Sequence, residues 1–174
     1  MFLFVALAFC LVFCIFLIVK LIDTTTSDLA PTIGTPVAAL PQICDELQIQ
    51  DKDEVWEVGC GDARVISYCA RKFPRARFVG VENGIIANIK ARLKTHRQKN
   101  VKIIFADIRN CNPEKATKMY LYLLPKTLNL ITDSIPKKCR VISLEFPIAR
   151  AARPRVVAVK ESAKFANKLF IHQF

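Results

Sequence analysis

The sequence predicts a doubly wound α/β fold, a mostly parallel sheet with helices on both faces. An apolar run, Val55 to Val58, enters a turn with glycines at positions 59 and 61, and an apolar-periodic segment begins at Val65. Strand-like and helix-like segments then alternate along the chain, as they do in βαβ units. Only seven residues link the last two strand-like segments, which is too short for a crossover helix, so these two strands should pair antiparallel.

Seven strands are predicted from apolar or alternating runs bounded by turn residues. They cover residues 55–58, 77–83, 101–107, 119–124, 139–146, 155–160 and 168–174. Helices are predicted after the first, second and fourth strands, and another leads into the first strand. Thr35 is its predicted N-cap, followed by Pro36 in the first turn, and Pro41 should kink the helix or mark its true start. In the helix after the second strand, Ile86, Ile89 and Leu93 form an apolar face opposite a basic one.

The start of the chain has the character of a membrane anchor. Residues 1–19 carry no charge and are rich in Phe, Leu, Val and Ile. At 1.5 Å per residue, residues 1–22 are long enough to cross a bilayer core of roughly 30 Å, and no positive n-region or cleavage site marks a signal peptide. We expect a retained transmembrane helix, a polar linker over residues 23–34 and one domain over residues 35–174. By the positive-inside tendency, we expect the basic domain of this single-pass membrane protein to lie in the cytoplasm.

Charge and cysteine content limit the partners and ligands. The chain carries 26 Lys and Arg against 15 Asp and Glu, a net charge of +11. That excess favours anionic partners, such as anionic lipid, nucleic acid or an acidic protein face. Seven cysteines are scattered without a C-x-x-C pair and only two histidines are present, so the sequence predicts neither a metal site nor a disulfide framework.

Acidic residues stand at the ends of three successive predicted strands. Glu57 precedes the glycine turn, Glu82 ends the second strand, and Asp107 ends the third. The carboxyl ends of parallel strands meet at one edge of the sheet, where ligands bind in open α/β folds. We therefore expect the three carboxylates to line one crevice, with Glu82 near the position that takes a ribose hydroxyl pair.

The stretch from Glu57 to Arg64 reads E-x-G-x-G-D-x-R. It resembles the first motif of class I S-adenosylmethionine-dependent methyltransferases, with Ala63 in place of the third glycine. The resemblance implies a Rossmann-like fold and S-adenosylmethionine as the cofactor. It also implies that Glu57 holds the amino-acid end of the cofactor, Glu82 its ribose, and Asp107 with Ile108 its adenine. The predicted cofactor-binding residues are Glu57, Gly59, Cys60, Gly61, Asp62, Glu82, Asn83, Asp107 and Ile108.

Further segments between about residues 30 and 148 resemble a smaller family. They are Ile33-Gly34-Thr35-Pro36, Gly80-Val81-Glu82, Tyr120-Leu121-Tyr122-Leu123-Leu124-Pro125 and Arg140-Val141-Ile142-Ser143-Leu144-Glu145-Phe146-Pro147. The family is that of the membrane-anchored protein-lysine methyltransferases of the ATP synthase c-subunit and the adenine nucleotide translocase, with prokaryotic relatives. The resemblance implies a protein lysine as the methyl acceptor, and it identifies no catalytic base. Candidate residues on the acceptor side are Ile33, Gly34, Thr35, Tyr122, Leu124 and Pro125.

Three functions follow as hypotheses. The favoured one is a membrane-anchored methyltransferase that modifies a lysine of a membrane or membrane-associated protein, held to the bilayer through residues 1–22 and in contact with anionic lipid. The second is an RNA methyltransferase, as the net charge of +11 suggests. It is less favoured because the fourth strand ends in Leu123-Leu124-Pro125, whereas enzymes that act on flipped bases carry an Asn/Asp-Pro-Pro-aromatic signature there. The third is a non-catalytic membrane adaptor that binds the cofactor.

Overall fold

The fold is built on one seven-stranded sheet, and the computed structural model describes residues 2–26, 34–149, 151–160 and 167–174. The strands are β1 (Glu54–Val58), β2 (Arg77–Glu82), β3 (Val101–Phe105), β4 (Lys118–Leu121), β5 (Arg140–Leu144), β6 (Arg155–Ala158) and β7 (Lys168–Gln173). Their order is β3-β2-β1-β4-β5-β7-β6. The first five strands are parallel, and β7 pairs antiparallel with β5 and β6. The predicted doubly wound sheet and its closing hairpin are confirmed.

Helices cover both faces of the sheet. They are α1 (Phe2–Thr26), α2 (Leu40–Leu47), α3 (Arg64–Lys72), α4 (Ile85–Thr95) and α5 (Pro125–Ile131). The chain steps from β1 outwards to β3 and from β4 the other way to β5, and right-handed crossovers therefore place α3 and α4 on one face and α5 on the other. Neighbouring strand residues point to opposite faces. Accordingly Val55 packs in the cluster that includes α3, whereas Trp56 packs with residues of α5.

The segment before α2 differs from the prediction at its cap. The helix α2 begins at Leu40, with Pro41 in its first turn, and no side chain caps it. The hydroxyl of Thr35 instead forms a buried hydrogen bond with the hydroxyl of Tyr120 on β4, at 2.8 Å. A buried hydroxyl without a partner would lose its hydrogen bonds with water, so this long-range pairing prevails over a local cap. The pairing fixes the chain before α2 against the centre of the sheet.

We predict that this buried pair contributes measurably to stability. The Tyr120→Phe variant leaves the Thr35 hydroxyl without its partner and should lower the free energy of unfolding by about 1–3 kcal/mol. Urea denaturation of Tyr120→Phe, Thr35→Val and the double variant tests this, because the double variant should lose clearly less than the sum of the single losses. Tyr68→Phe is the control: Tyr68 is only partly buried and lies beside Lys72, so loss of its hydroxyl should lower stability less than Tyr120→Phe does. Additive losses would contradict the coupling.

The expected transmembrane helix is not supported by the structure. A helix, α1, does form over residues that the sequence assigned to the anchor and the start of the linker. Among the described residues, however, no helix is both long and apolar enough to cross a membrane. Most of the linker assigned to residues 23–34 lies outside the described residues.

The apolar face of α4 is turned away from the sheet. Asn88, Ala91 and Thr95 are the buried side chains of this helix, while Ile89 and Leu93 are exposed. The hydrogen bond from the Thr95 hydroxyl to the Ala91 carbonyl and the bonds from the Asn88 amide to the Glu82 and Ile104 carbonyls satisfy the buried polar groups. Small and polar side chains thus bring α4 close to the sheet, and its larger apolar side chains are left outside.

Candidate active site

The glycine turn after β1 is held against the end of β2. The backbone N–H groups of Gly59 and Cys60 both donate to the Val81 carbonyl, at 2.8 and 2.9 Å. Gly59 has a φ of +73°, and a Cβ added there would lie 2.8 Å from Leu123 Cδ2. A side chain at this position would therefore be both strained and crowded. The turn presents bare backbone at the carboxyl edge of the sheet, followed directly by the first turn of α3.

Glu82 connects the glycine turn to the loop before α4. One carboxylate oxygen accepts a hydrogen bond from the Gly61 N–H at 2.7 Å, and the other accepts one from the Gly84 N–H at 2.8 Å. Glu82 is buried at the end of β2, and the exposed Asn83 follows it. A carboxylate has about four lone-pair sites, so each oxygen still has acceptor capacity for a ribose hydroxyl.

Glu57 is the most buried of the predicted cofactor-binding carboxylates. Its residue is 5% exposed, and its carboxylate accepts one hydrogen bond, from the Ile66 N–H in the first turn of α3, at 3.3 Å. Burial raises the pKa of the Glu57 carboxyl well above its usual range, and the nearby negative charges of Asp62 and Glu82 raise it further, against the effect of the Ile66 hydrogen bond. A cationic ligand group beside Glu57 would favour its ionised form.

Arg64 joins the cofactor side of the site to the predicted acceptor side. Its guanidinium donates to both carboxylate oxygens of Asp62, at 2.9 and 3.2 Å, and to the Thr35 carbonyl at 3.0 Å. It also packs on Gly34, where an added Cβ would lie 3.0 Å from Arg64 Cζ. Lys94 of α4 forms a second ion pair with Asp62, and hydrogen bonds from the two cations lower the pKa of the Asp62 carboxyl against the effect of burial. Sequence reasoning did not assign Arg64 a role, although the D-x-R spacing was visible.

Asp107, which was predicted to end the third strand, lies two residues beyond β3 and is already paired. The carboxylate of Asp107 accepts the backbone N–H of Arg109 at 2.8 Å and two guanidinium N–H groups of the same residue at 2.9 and 2.6 Å. These hydrogen bonds keep the pKa of the Asp107 carboxyl below its usual range. Ile108 is buried in the cluster that includes Trp56, and Cys60 is buried against Gly80, where burial raises the pKa of its thiol. Their adenine and backbone roles remain predictions.

Near the predicted acceptor side lies an acid that sequence reasoning missed. Glu145 follows β5 directly and adopts a φ of +68°, which is uncommon for a residue with a side chain. Its carboxylate accepts the Asn167 N–H at 2.8 Å, and its negative charge adds to burial in raising the pKa of Tyr122. The sequence analysis extended the fifth strand to residue 146, so Glu145 was not recognised as a fourth strand-end acid. Of the other predicted acceptor-side residues, Leu124 and Pro125 follow Tyr122 in the chain and are exposed. Ile33 lies outside the described residues.

The described residues fit S-adenosylmethionine. The bare backbone of the glycine turn leaves space for a ligand, Glu57 offers an anion for an ammonium group, and Glu82 offers acceptors for vicinal hydroxyls. When bound, this cofactor supplies an electrophilic methyl group for in-line displacement, and the protein positions the acceptor and excludes water. No group of three or more His, Cys, Asp or Glu side chains suitable for a metal ion occurs within the described ranges. The fold and site are those of a class I S-adenosylmethionine-dependent methyltransferase.

Comparison with known proteins agrees with that class. The chain belongs to the methyltransferase family whose description reads "Putative methyltransferase", which matches residues 51–169. It is 26% identical over 152 residues to a protein-lysine N-methyltransferase of Saccharolobus islandicus, covering 82% of this chain and 92% of that protein. It is 31% identical over 88 residues to an (S)-coclaurine N-methyltransferase of Thalictrum flavum, but this match covers 49% of the chain and 23% of the plant enzyme.

Solved structures show the same fold. An RNA methyltransferase from Salinibacter ruber, in complex with S-adenosylhomocysteine, aligns with a TM-score of 0.71 at 22% identity, over 81% of this chain and 93% of that one. A methyltransferase from Geobacter sulfurreducens, also bound to S-adenosylhomocysteine, aligns with a TM-score of 0.56 at 16% identity, over 67% and 51% of the two chains. These structures agree in fold, and the family match over residues 51–169 identifies the chain as an S-adenosylmethionine-dependent methyltransferase.

Proposed function

We propose that the chain is a membrane-associated protein-lysine methyltransferase, with its domain on the cytoplasmic side. The similarity to the protein-lysine N-methyltransferase of Saccharolobus islandicus supports the acceptor class, because it extends over 92% of that protein and not over the cofactor motif alone. Lysine methylation requires an amine nucleophile, and the plant relative is by its name also an N-methyltransferase. The observation that carries the proposal is this similarity along nearly the whole length of the relative.

The acceptor side of the site suits an amine. A lysine ammonium must lose its proton before it attacks the methyl group; a carboxylate can accept that proton as a general base, and an apolar wall lowers the pKa of the ammonium. Glu145, at the end of β5, provides a carboxylate, and Tyr122 and Leu124 provide walls at the end of β4. The acid also attracts the ammonium before it is deprotonated. We assign Glu145 to orienting the incoming lysine amine.

Membrane association is supported by the character of α1. Its described side chains are apolar around the whole helix and exposed, among them Phe4, Val5, Phe9, Leu11, Val12 and Phe16. A helix that is apolar on every side requires an apolar environment, either the interior of a protein or lipid. The basic character of the chain favours the cytoplasmic side of the membrane.

RNA is a second candidate acceptor, favoured by one feature of the sequence. Within residues 63–106 there are eleven Lys and Arg and a single acid, Glu82. A basic surface of this kind attracts any polyanion, including RNA. Against RNA, the relative matched over 92% of its length is a protein-lysine N-methyltransferase, whereas the RNA methyltransferase from Salinibacter ruber is similar in fold at 22% identity. We therefore place RNA second.

Labelling with radioactive S-adenosylmethionine separates the candidates. The purified full chain is incubated with membranes, soluble proteins and RNA from one lysate, and labelled protein is hydrolysed to identify the methylated amino acid. We expect label in a protein of the membrane fraction, recovered as methyl-lysine. A Gly59→Val variant, whose added Cβ would lie 2.8 Å from Leu123 Cδ2, is the control and should give background label. Label confined to RNA, or to residues other than lysine, would overturn the proposal.

A further inference from the structure

The helix α4 presents an apolar strip to solvent. We call Ile86, Ile89 and Leu93 the α4 strip; at spacings of three and four residues they lie on one side of the helix. Ile89 is 52% exposed, Leu93 is 67% exposed and Ile86 is half-buried, whereas the buried residues of the helix lie on the opposite side. Water around such a strip is unfavourable, so a surface of this kind usually has a partner.

Positive charge surrounds the α4 strip. Lys90 and Lys94 border it on one side and Arg92 on the other; all three are exposed, and Lys94 is also paired with Asp62. Arg71, Arg75, Arg77, Arg97 and Lys99 line a shallow groove at the end of α4. Since residues 63–106 contain eleven basic residues and one buried acid, this part of the chain accounts for nearly all of the net charge of +11. A partner that matches this surface would therefore carry negative charge beside an apolar region.

The helix α1 lies beside this surface. It contacts α4, and its own described side chains are exposed and apolar. An anionic bilayer matches this combination of basic and apolar side chains, because its headgroups attract cations while its acyl region takes up apolar side chains. RNA would engage the cations and leave the leucine and isoleucine side chains in water. The cations and the apolar side chains of this surface together therefore favour anionic lipid over RNA, which offers no apolar region.

We propose that the α4 strip docks on the surface of an anionic membrane. The inference rests on the membrane association proposed above and specifies the face of the domain that meets the lipid. In a βαβ unit the helix runs antiparallel to the strands, so a membrane parallel to α4 is also parallel to the sheet strands. The carboxyl edge of the sheet, with Glu57 and Glu82, then opens sideways along the membrane surface. That orientation suits an acceptor lysine held at headgroup height.

Tryptophan fluorescence in the full chain tests the docking face. Leu93→Trp places a reporter on the strip, and Leu130→Trp places a matched one on α5, where Leu130 is 49% exposed on the opposite face of the sheet. The signal of the native Trp56, which is buried, is subtracted with the unsubstituted chain. Vesicles contain phosphatidylcholine and phosphatidylserine, with or without brominated acyl chains. With brominated vesicles we expect Leu93→Trp emission to shift to shorter wavelength and fall by about twofold or more, and Leu130→Trp emission to stay unchanged.

Sedimentation of the same samples distinguishes the possible failures. If both variants pellet with the vesicles but Leu93→Trp is not quenched, the docking face is wrong while membrane association stands. If neither variant pellets, membrane association fails, and the docking face fails with it. A Lys90→Glu variant should weaken the quenching of Leu93→Trp, as should high salt. A shift of Leu93→Trp produced by polyuridylate, together with release from the vesicles, would replace the lipid surface with RNA.

Discussion

Removing the Glu82 carboxylate is expected to weaken S-adenosylmethionine binding by at least about a hundredfold, since a hydrogen bond to a charged group contributes about 1.5–3 kcal/mol and two ribose hydroxyls are involved. The Glu82→Ala variant also leaves the N–H groups of Gly61 and Gly84 without their acceptor. The glycine turn then loses its link to the loop before α4. Isothermal titration calorimetry with S-adenosylmethionine or S-adenosylhomocysteine measures the loss.

Two further variants make the Glu82 result interpretable. Glu114→Ala removes an exposed glutamate that accepts a hydrogen bond from the nearby Asn112 side chain, and it should bind the cofactor normally. Glu82→Gln keeps the side-chain volume but turns an N–H₂ group toward one of the two backbone donors, so it should also bind weakly. Circular dichroism checks that each variant is folded. A folded Glu82→Ala variant with unchanged affinity would show that Glu82 does not hold the ribose.

Cofactor affinity is expected to increase with pH because of Glu57. In the free domain, burial raises the pKa of the Glu57 carboxyl well above its usual range, whereas an ammonium group of the cofactor requires the carboxylate. Below that pKa, binding must therefore release a proton from Glu57, and affinity should rise until the pH passes it. Calorimetry in buffers of different ionisation enthalpy measures the released proton. Proton release should be absent, and affinity lower, in Glu57→Gln.

The raised pKa of Glu57 also affects how the stability of the ligand-free domain depends on pH. A carboxyl with a raised folded pKa stabilises the domain below its unfolded pKa, and this contribution is lost as pH rises through the folded pKa. The Glu57→Gln variant keeps an acceptor for the Ile66 N–H and cannot ionise, so it should gain stability relative to the unsubstituted chain as pH rises. Asp107→Asn is the control: Arg109 keeps the pKa of Asp107 low, so its effect should not vary between pH 5 and 8. Equal pH profiles for Glu57→Gln and the unsubstituted chain would contradict the role of Glu57.

The site was predicted best where it depends on strand ends. Glu57 and Glu82 lie at the carboxyl edge as expected, because parallel pairing aligns the strands and the strand ends were visible in the sequence. The partners of the acids were not predictable in the same way. Pairing of Asp62 with Lys94 and of Arg64 with the Thr35 carbonyl joins residues 32 and 29 positions apart, and only the packing of α4 and of the segment before α2 brings them together.

Local patterns failed where packing outweighed them. Thr35 has the residue type of an N-cap, but its hydroxyl bonds to Tyr120, 85 residues away, because the buried tyrosine hydroxyl needs a partner. Periodicity located the apolar side of α4 but not the direction in which that side points. Asn88, Ala91 and Thr95 are the residues that fit against the sheet.

The sequence by itself determined the order of strands and helices, the class of sheet, and the glycine turn with its acids, since each depends on periodicity, chain connection or residue chemistry within a short stretch. The tertiary structure alone decided that Glu57 is desolvated, that Arg64 joins the two sides of the site, and that the α4 strip faces outward. Burial and long-range hydrogen bonds depend on which surfaces meet when the sheet and helices pack, and that is a property of the whole folded chain.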